Sequence, residues 1–278
     1  MKKRKTAEKT NAKKIVRFLV FSGYGLNCEE ETAYAFDRAG GKADIVHIND
    51  VIDPPSPRLR RASGKSVLDD YDIVAFPGGF AYGDDTGSGK AYGNRVRNHL
   101  WKPLMQFIES GKLVIGICNG FQILSQIGVL PGAVTFNESN RYVDRWVDLK
   151  AEGKSPWLSG IETLSVPIAH GEGKYIAPKK VLADLKKNKQ VAFRYYKGET
   201  ATYQDLPANP NGATENIAGV LAYDGRVLGM MPHPDRNLFT VQRPDWPLQK
   251  ERAKRAGEKL LWDSAGLQIF KTGVDYFN

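Results

Sequence analysis

Hydrophobic positions in the first half of the chain fall in short unbroken runs rather than in alternation. IVRFLVF (15–21), ADIVHI (43–48), DIVAF (72–76) and LVIGI (113–117) each read as a strand covered on both faces. A strand with one wet face would carry a polar side chain at every second position. Helical spacing separates the runs, over about 28–39 (CEEETAYAFDRA), about 91–110 and about 120–126, the last following directly on LVIGI. This alternation predicts an α/β fold, a doubly wound and mostly parallel sheet with flanking helices and right-handed crossovers. In such a sheet the site lies outside the carboxyl ends of the strands.

The second half is richer in β-runs. ETLSVPIAH (162–170) and VAFRYY (191–196) read as strands, and IAGVLAY (217–223) and RVLGMM (226–231) flank Asp224-Gly225, which predicts a tight hairpin. A closing helix over about 264–277 puts Leu267, Phe270, Val274 and Phe277 on one face, a core-packing stripe. Two stretches read as surface insertions: DPPSPRLRRASGKS (53–66), and 242–262 with Pro244, Pro247 and the run KERAKRAGEK. The expected organisation is one domain over 15–278 behind a basic, disordered tail over 1–14.

Composition agrees with a globular chain: 278 residues, 41% hydrophobic, 10% aromatic and 26% charged. The net charge of +9 does not mark the folded body as a nucleic-acid binder, because the 1–14 tail carries seven basic residues against Glu8 and so supplies +6 of it. IVRFLVF contains Arg17 and is too short for a secretory core or a membrane span. With two cysteines, Cys28 and Cys118, expected to stay free thiols, the chain reads as cytoplasmic.

The sharpest chemical signal is Gly116-Ile117-Cys118-Asn119-Gly120, set between an apolar strand and the helix FQILSQI. It has the G-x-nucleophile-x-G form of a strained strand-to-helix elbow, which needs small neighbours so that backbones can pass closely. A thiol at a helix start meets unpaired N–H groups and the positive end of the helix dipole, which favour the thiolate. Pro77-Gly78-Gly79-Phe80 follows the strand DIVAF and offers backbone donors for an oxyanion. Met231-Pro232-His233-Pro234-Asp235 brings a histidine fixed by two prolines and an acid that can orient it, so Cys118, His233 and Asp235 form a triad pattern. His170, in AHGEG, is a second candidate, for substrate contact, while His233 is favoured as the base. GDDTGSGKAY (83–92) lacks the second-position glycine and the terminal Ser or Thr of a phosphate loop, and Gly23-Tyr24-Gly25 lacks the third glycine of a dinucleotide fingerprint. No nucleotide is expected on this chain, and the Cys and His spacings match no zinc motif, so no metal either.

PGGF, GICNGFQ and MPHPDR, in that order, resemble the class I glutamine amidotransferases. The wider set of GLNC (25–28), PGGFAYGD (77–84), GICNGFQIL (116–124), NESNRYV (137–143), PIAHGEG (167–173), NPNGATENIAGV (209–220) and MMPHP (230–234) is similar to the glutaminase subunits of phosphoribosylformylglycinamidine synthases. The resemblance spans about 15–240 and the final helix. It implies an enzyme of purine biosynthesis that hydrolyses glutamine to glutamate and ammonia and passes the ammonia to an ATP-dependent synthetase subunit, often with a small accessory subunit. ATP and Mg belong to that partner. On this chain it implies Cys118 as nucleophile, His233 as general acid/base, Gly79 or Phe80 together with Asn119 as oxyanion donors, and Gln122, Asn137 and Arg141 as glutamine contacts. The family usually has Glu two residues after the histidine, where this chain has Asp235. Competing readings are a glutaminase serving another synthetase, a cysteine peptidase on the same scaffold, and a non-catalytic binding subunit.

Overall fold

The structure, a computed structural model, describes residues 14–54 and 66–278. The expected basic tail and the 53–66 insertion lie almost wholly outside these residues. The chain runs β1 (Arg17–Ser22), α1 (Glu29–Arg38), β2 (Lys42–His47), α2 (Ile48–Ile52), β3 (Ile73–Phe76), α3 (Lys90–His99), α4 (Trp101–Glu109), β4 (Leu113–Ile117) and α5 (Asn119–Gln126). It continues through β5 (Ala133–Thr135), β6 (Val143–Ala151), β7 (Thr163–His170), β8 (Lys174–Ile176), α6 (Lys179–Lys187), β9 (Val191–Tyr196) and α7 (Glu199–Tyr203). β10 (Ile217–Ala222), β11 (Val227–Met230), α8 (Trp246–Ala256) and α9 (Gly266–Asp275) complete it.

One sheet has the order β2-β1-β3-β4-β11-β10-β9-β6-β7, and β5 pairs separately with β8. From β2 to β11 every pairing is parallel, and beyond β11 every pairing is antiparallel. Within this nine-stranded sheet all strands but β10 and β6 therefore point one way. β3, β4, β10 and β11 are buried at every position, whereas the edge strand β2 is nowhere fully buried, which accounts for the charged residues it tolerates. Helix α9 closes the core as its stripe predicts. Leu267, Phe270 and Val274 are buried, and the Phe270 ring meets Phe36 of α1 edge-on at 4.9 Å. Burying one such ring is worth about 1.5–3 kcal/mol.

Three elements differ from the sequence reading. The run ADIVHI, expected to be covered on both faces, forms the edge strand β2, which among the described residues has no neighbour on one side and no fully buried position. The helix expected over 91–110 is broken at Leu100, whose φ of −118° lies outside the helical range. Pro103 is the cause: it has no N–H for the His99 carbonyl, and its ring would clash with that carbonyl in a continuous helix. Strand β6, which joins β7 to β9, is not predicted by the sequence pattern. Its apolar positions are interleaved with Asp144, Arg145, Asp148 and Lys150. Asp148 is nevertheless buried, accepting hydrogen bonds from Ser165 Oγ and from Ala201 N–H at 2.8 Å. Helix α8, inside the 242–262 stretch, has no buried residue. Among the described residues no helix is long and apolar enough to cross a membrane.

Candidate active site

Three neighbouring parallel strands end level with one another, and this brings the three sequence motifs together. Phe76 of β3 is in register with Gly116 of β4, and Ile117 of β4 with Met230 of β11. Gly78-Gly79 follows the end of β3, Cys118 follows β4, and His233 lies three residues beyond β11. Motifs over 150 residues apart in the chain thus meet at one sheet edge.

Cys118 occupies φ +52°, ψ −107°, a backbone conformation that costs a non-glycine residue on the order of 1–3 kcal/mol. The surroundings enforce it. Cys118 N–H donates to Met230 O at 2.8 Å, and Cys118 O accepts from Gln122 N–H at 3.1 Å. The flanking glycines let helix α5 press on the sheet: a Cβ on Gly120 would sit 1.9 Å from Phe76 O, and one on Gly116 2.6 Å from Gly120 O. Cys118 is 5% exposed, at the N-terminus of α5, with Sγ 3.9 Å from Ala169 O. Among the described residues the Asn119 N–H has no acceptor, which leaves it free for a developing negative charge.

His233 and Asp235 are each 1% exposed. The His233 backbone is pinned by its N–H to Pro167 O at 2.9 Å, and its Nδ1 lies 3.3 Å from Asp235 Oδ1, an ion-pair distance without hydrogen-bond alignment. Burial disfavours the charged ring, but the charges of Asp235 and Cys118 outweigh it and push His233 up to about 10. Gly78 makes room for this pairing, since a Cβ there would stand 2.6 Å from His233 Cε1 and 3.5 Å from Cys118 Cβ. His170 is pushed the other way, down to about 4, by burial and then by the charge on His233. Its Nδ1 is engaged with Asn137 Oδ1 at 3.1 Å. The two buried histidines are thus driven apart, His233 toward its charged form and His170 toward its neutral one.

The remaining predicted contacts separate. Phe80 N–H is committed to Gly25 O at 2.8 Å, so Phe80 is set aside as an oxyanion donor. The Gly79 N–H has no acceptor among the described residues, and Gly79 holds φ +149° against Gly25 and Leu26, where a Cβ would clash at 2.6 Å. Asn137 is corrected from substrate contact to brace. Its amide donates to Arg141 O and His170 O and accepts from Gly173 N–H and the His170 ring, which saturates it. Gln122 is similarly engaged, donating to Glu172 O and accepting from Asn119 Nδ2 at 2.7 Å. Arg141 has an exposed side chain with no ion pair among the described residues. Beside the site, Phe80 and Tyr142 form an exposed aromatic rim with ring centroids 6.2 Å apart.

One buried group played no part in the sequence reading of the site. Cys28 starts α1, is 1% exposed, and accepts from Arg236 Nη2 at 3.0 Å. Its thiol is held well above the usual range by burial and by Asp235. Neither cysteine is bridged.

A family model described as a CobB/CobQ-like glutamine amidotransferase domain matches residues 15–277. The chain is 46% identical over 279 residues to phosphoribosylformylglycinamidine synthase subunit PurQ of Methanococcus maripaludis strain C7, covering 96% of this chain and 99% of that one. It is 38% identical to the subunit of the same name from Dehalococcoides mccartyi, over 94% and 97%. Among solved structures, a chain of PurLQS from Thermotoga maritima superposes with a TM-score of 0.69 at 28% identity, covering 95% of this chain and all of that one.

Proposed function

This chain belongs to the glutamine amidotransferase family, and from that membership we propose that it is the glutaminase subunit of a phosphoribosylformylglycinamidine synthase. The observation that carries the reading is Cys118, held at a positive φ on a helix start with His233 and Asp235 behind it. The Cys118 thiolate attacks the side-chain carboxamide of glutamine, forming a C–S bond and a tetrahedral oxyanion that accepts from the Asn119 and Gly79 N–H groups. The His233 imidazolium protonates the departing nitrogen, and ammonia leaves a glutamyl thioester. Neutral His233 then takes a proton from water as the C–O bond forms, the C–S bond breaks and glutamate departs. The proton transfers contribute roughly 10²–10⁴ and each oxyanion donor roughly 10²–10³. The Arg141 guanidinium, without an ion pair among the described residues, suits the substrate α-carboxylate.

The ammonia is consumed on a cytoplasmic, ATP-dependent synthetase subunit, which holds the nucleotide and its Mg and aminates formylglycinamide ribonucleotide, with a small accessory subunit completing the complex. The exposed rim of Phe80 and Tyr142 fits a mouth that a partner covers. The test is ammonia release from glutamine by this chain, alone and with the candidate synthetase carrying its nucleotide. Release is low alone and rises with the loaded partner. A rate from the isolated chain that no partner changes would contradict the coupled reading.

A further inference from the structure

Behind the nucleophile, the fold assembles a second set of donors that no sequence spacing reveals. The Cys28 sulfur, a His233 ring nitrogen and an Asp235 carboxylate oxygen all lie within 4.8 Å of one another, and all three residues are buried. Two of the three residues also carry unsatisfied atoms: apart from the 3.3 Å approach of His233 Nδ1 to Asp235 Oδ1, that nitrogen and both Asp235 oxygens are buried without a hydrogen-bond partner among the described residues. Buried polar atoms are rarely left so. Sulfur, imidazole and carboxylate together are a donor set for zinc and its neighbours.

We propose that Cys28, His233 and Asp235 form a site for a borderline-soft divalent cation of the zinc type, and that filling it switches the glutaminase off. Binding takes up the Cys28 thiolate and the His233 Nδ1 lone pair and releases the protons they carried. Arg236 is the group that has to withdraw. It contacts the sulfur at 3.0 Å, but its side chain is 38% exposed and ion-paired outward to Glu31 at 3.3 Å, so it has somewhere to go. With a dication on Nδ1 the His233 ring no longer accepts a proton at its other nitrogen, and the deacylating water loses its base.

The inhibition rests on the glutaminase reading; the binding does not, and the two are measured apart. Cobalt(II) is titrated into Cys118→Ala protein, in which Cys28 is the remaining thiol. A near-ultraviolet thiolate-to-cobalt charge-transfer band is expected, and it disappears in protein that also carries Cys28→Ser or Cys28→Ala. No band in the Cys118→Ala protein would overturn the site. In the holo-complex, zinc inhibits reversibly with chelator, and Cys28→Ser raises the half-inhibiting concentration by roughly 10–100-fold relative to that variant's own metal-free rate. Inhibition unchanged by Cys28→Ser would place the metal on Cys118 instead.

Discussion

Replacing Cys118 with alanine removes glutamine hydrolysis, by roughly 10⁶ in turnover if the site loses what a triad enzyme loses with its nucleophile. The expected effect on folding is small. The substitution deletes one sulfur from a residue only 5% exposed, whose backbone is held by its own hydrogen bonds to Met230 and Gln122. Glutamine-dependent ammonia release, read beside thermal unfolding, checks both halves. Residual hydrolysis within a factor of about ten of the parent would remove Cys118 from the chemistry.

Asp235→Asn has the next largest effect, because it changes how His233 holds its proton. In the folded chain burial opposes the charged ring, and the charges of Asp235 and Cys118 reverse that preference, carrying His233 up to about 10. The imidazolium therefore persists through neutral pH and is lost as pH rises through that value, which places the alkaline limb of kcat/KM. An uncharged asparagine leaves burial with less opposition, so the limb moves to lower pH. The rate falls by roughly 10²–10⁴, as when a triad histidine loses its orienting acid. Asp235→Glu keeps the charge and is expected to keep the limb in place. An Asp235→Asn profile whose alkaline limb does not move would show that Asp235 does not set the charge on His233.

How much of this was legible beforehand varies with what each residue depends on. The unbroken apolar runs of β1, β3 and β4 report burial on both faces, and burial on both faces is the environment they have. The elbow was legible because its glycines answer to contacts a few residues away: Gly116 and Gly120 touch each other. Strand β6 was hidden by its charges, since the solvation of Asp148 by Ser165 and Ala201 is a tertiary fact. For the same reason sequence suggested Asn137, Gln122 and Phe80 as contacts while their polar groups turn out to be engaged within the protein. The spare valence of an amide cannot be read from its neighbours in the chain. Cys28 was visible as a thiol but not as a neighbour of His233, because that depends on the start of α1 meeting the turn after β11.

Catalysis turns on which sulfur meets glutamine, and a glutamine analogue bearing an electrophile at the side-chain carbon reads that directly. Intact mass and peptide mapping after exposure should give one adduct, on Cys118, suppressed by excess glutamine. An adduct carried by Cys28, or no glutamine-protected adduct at all, would contradict it.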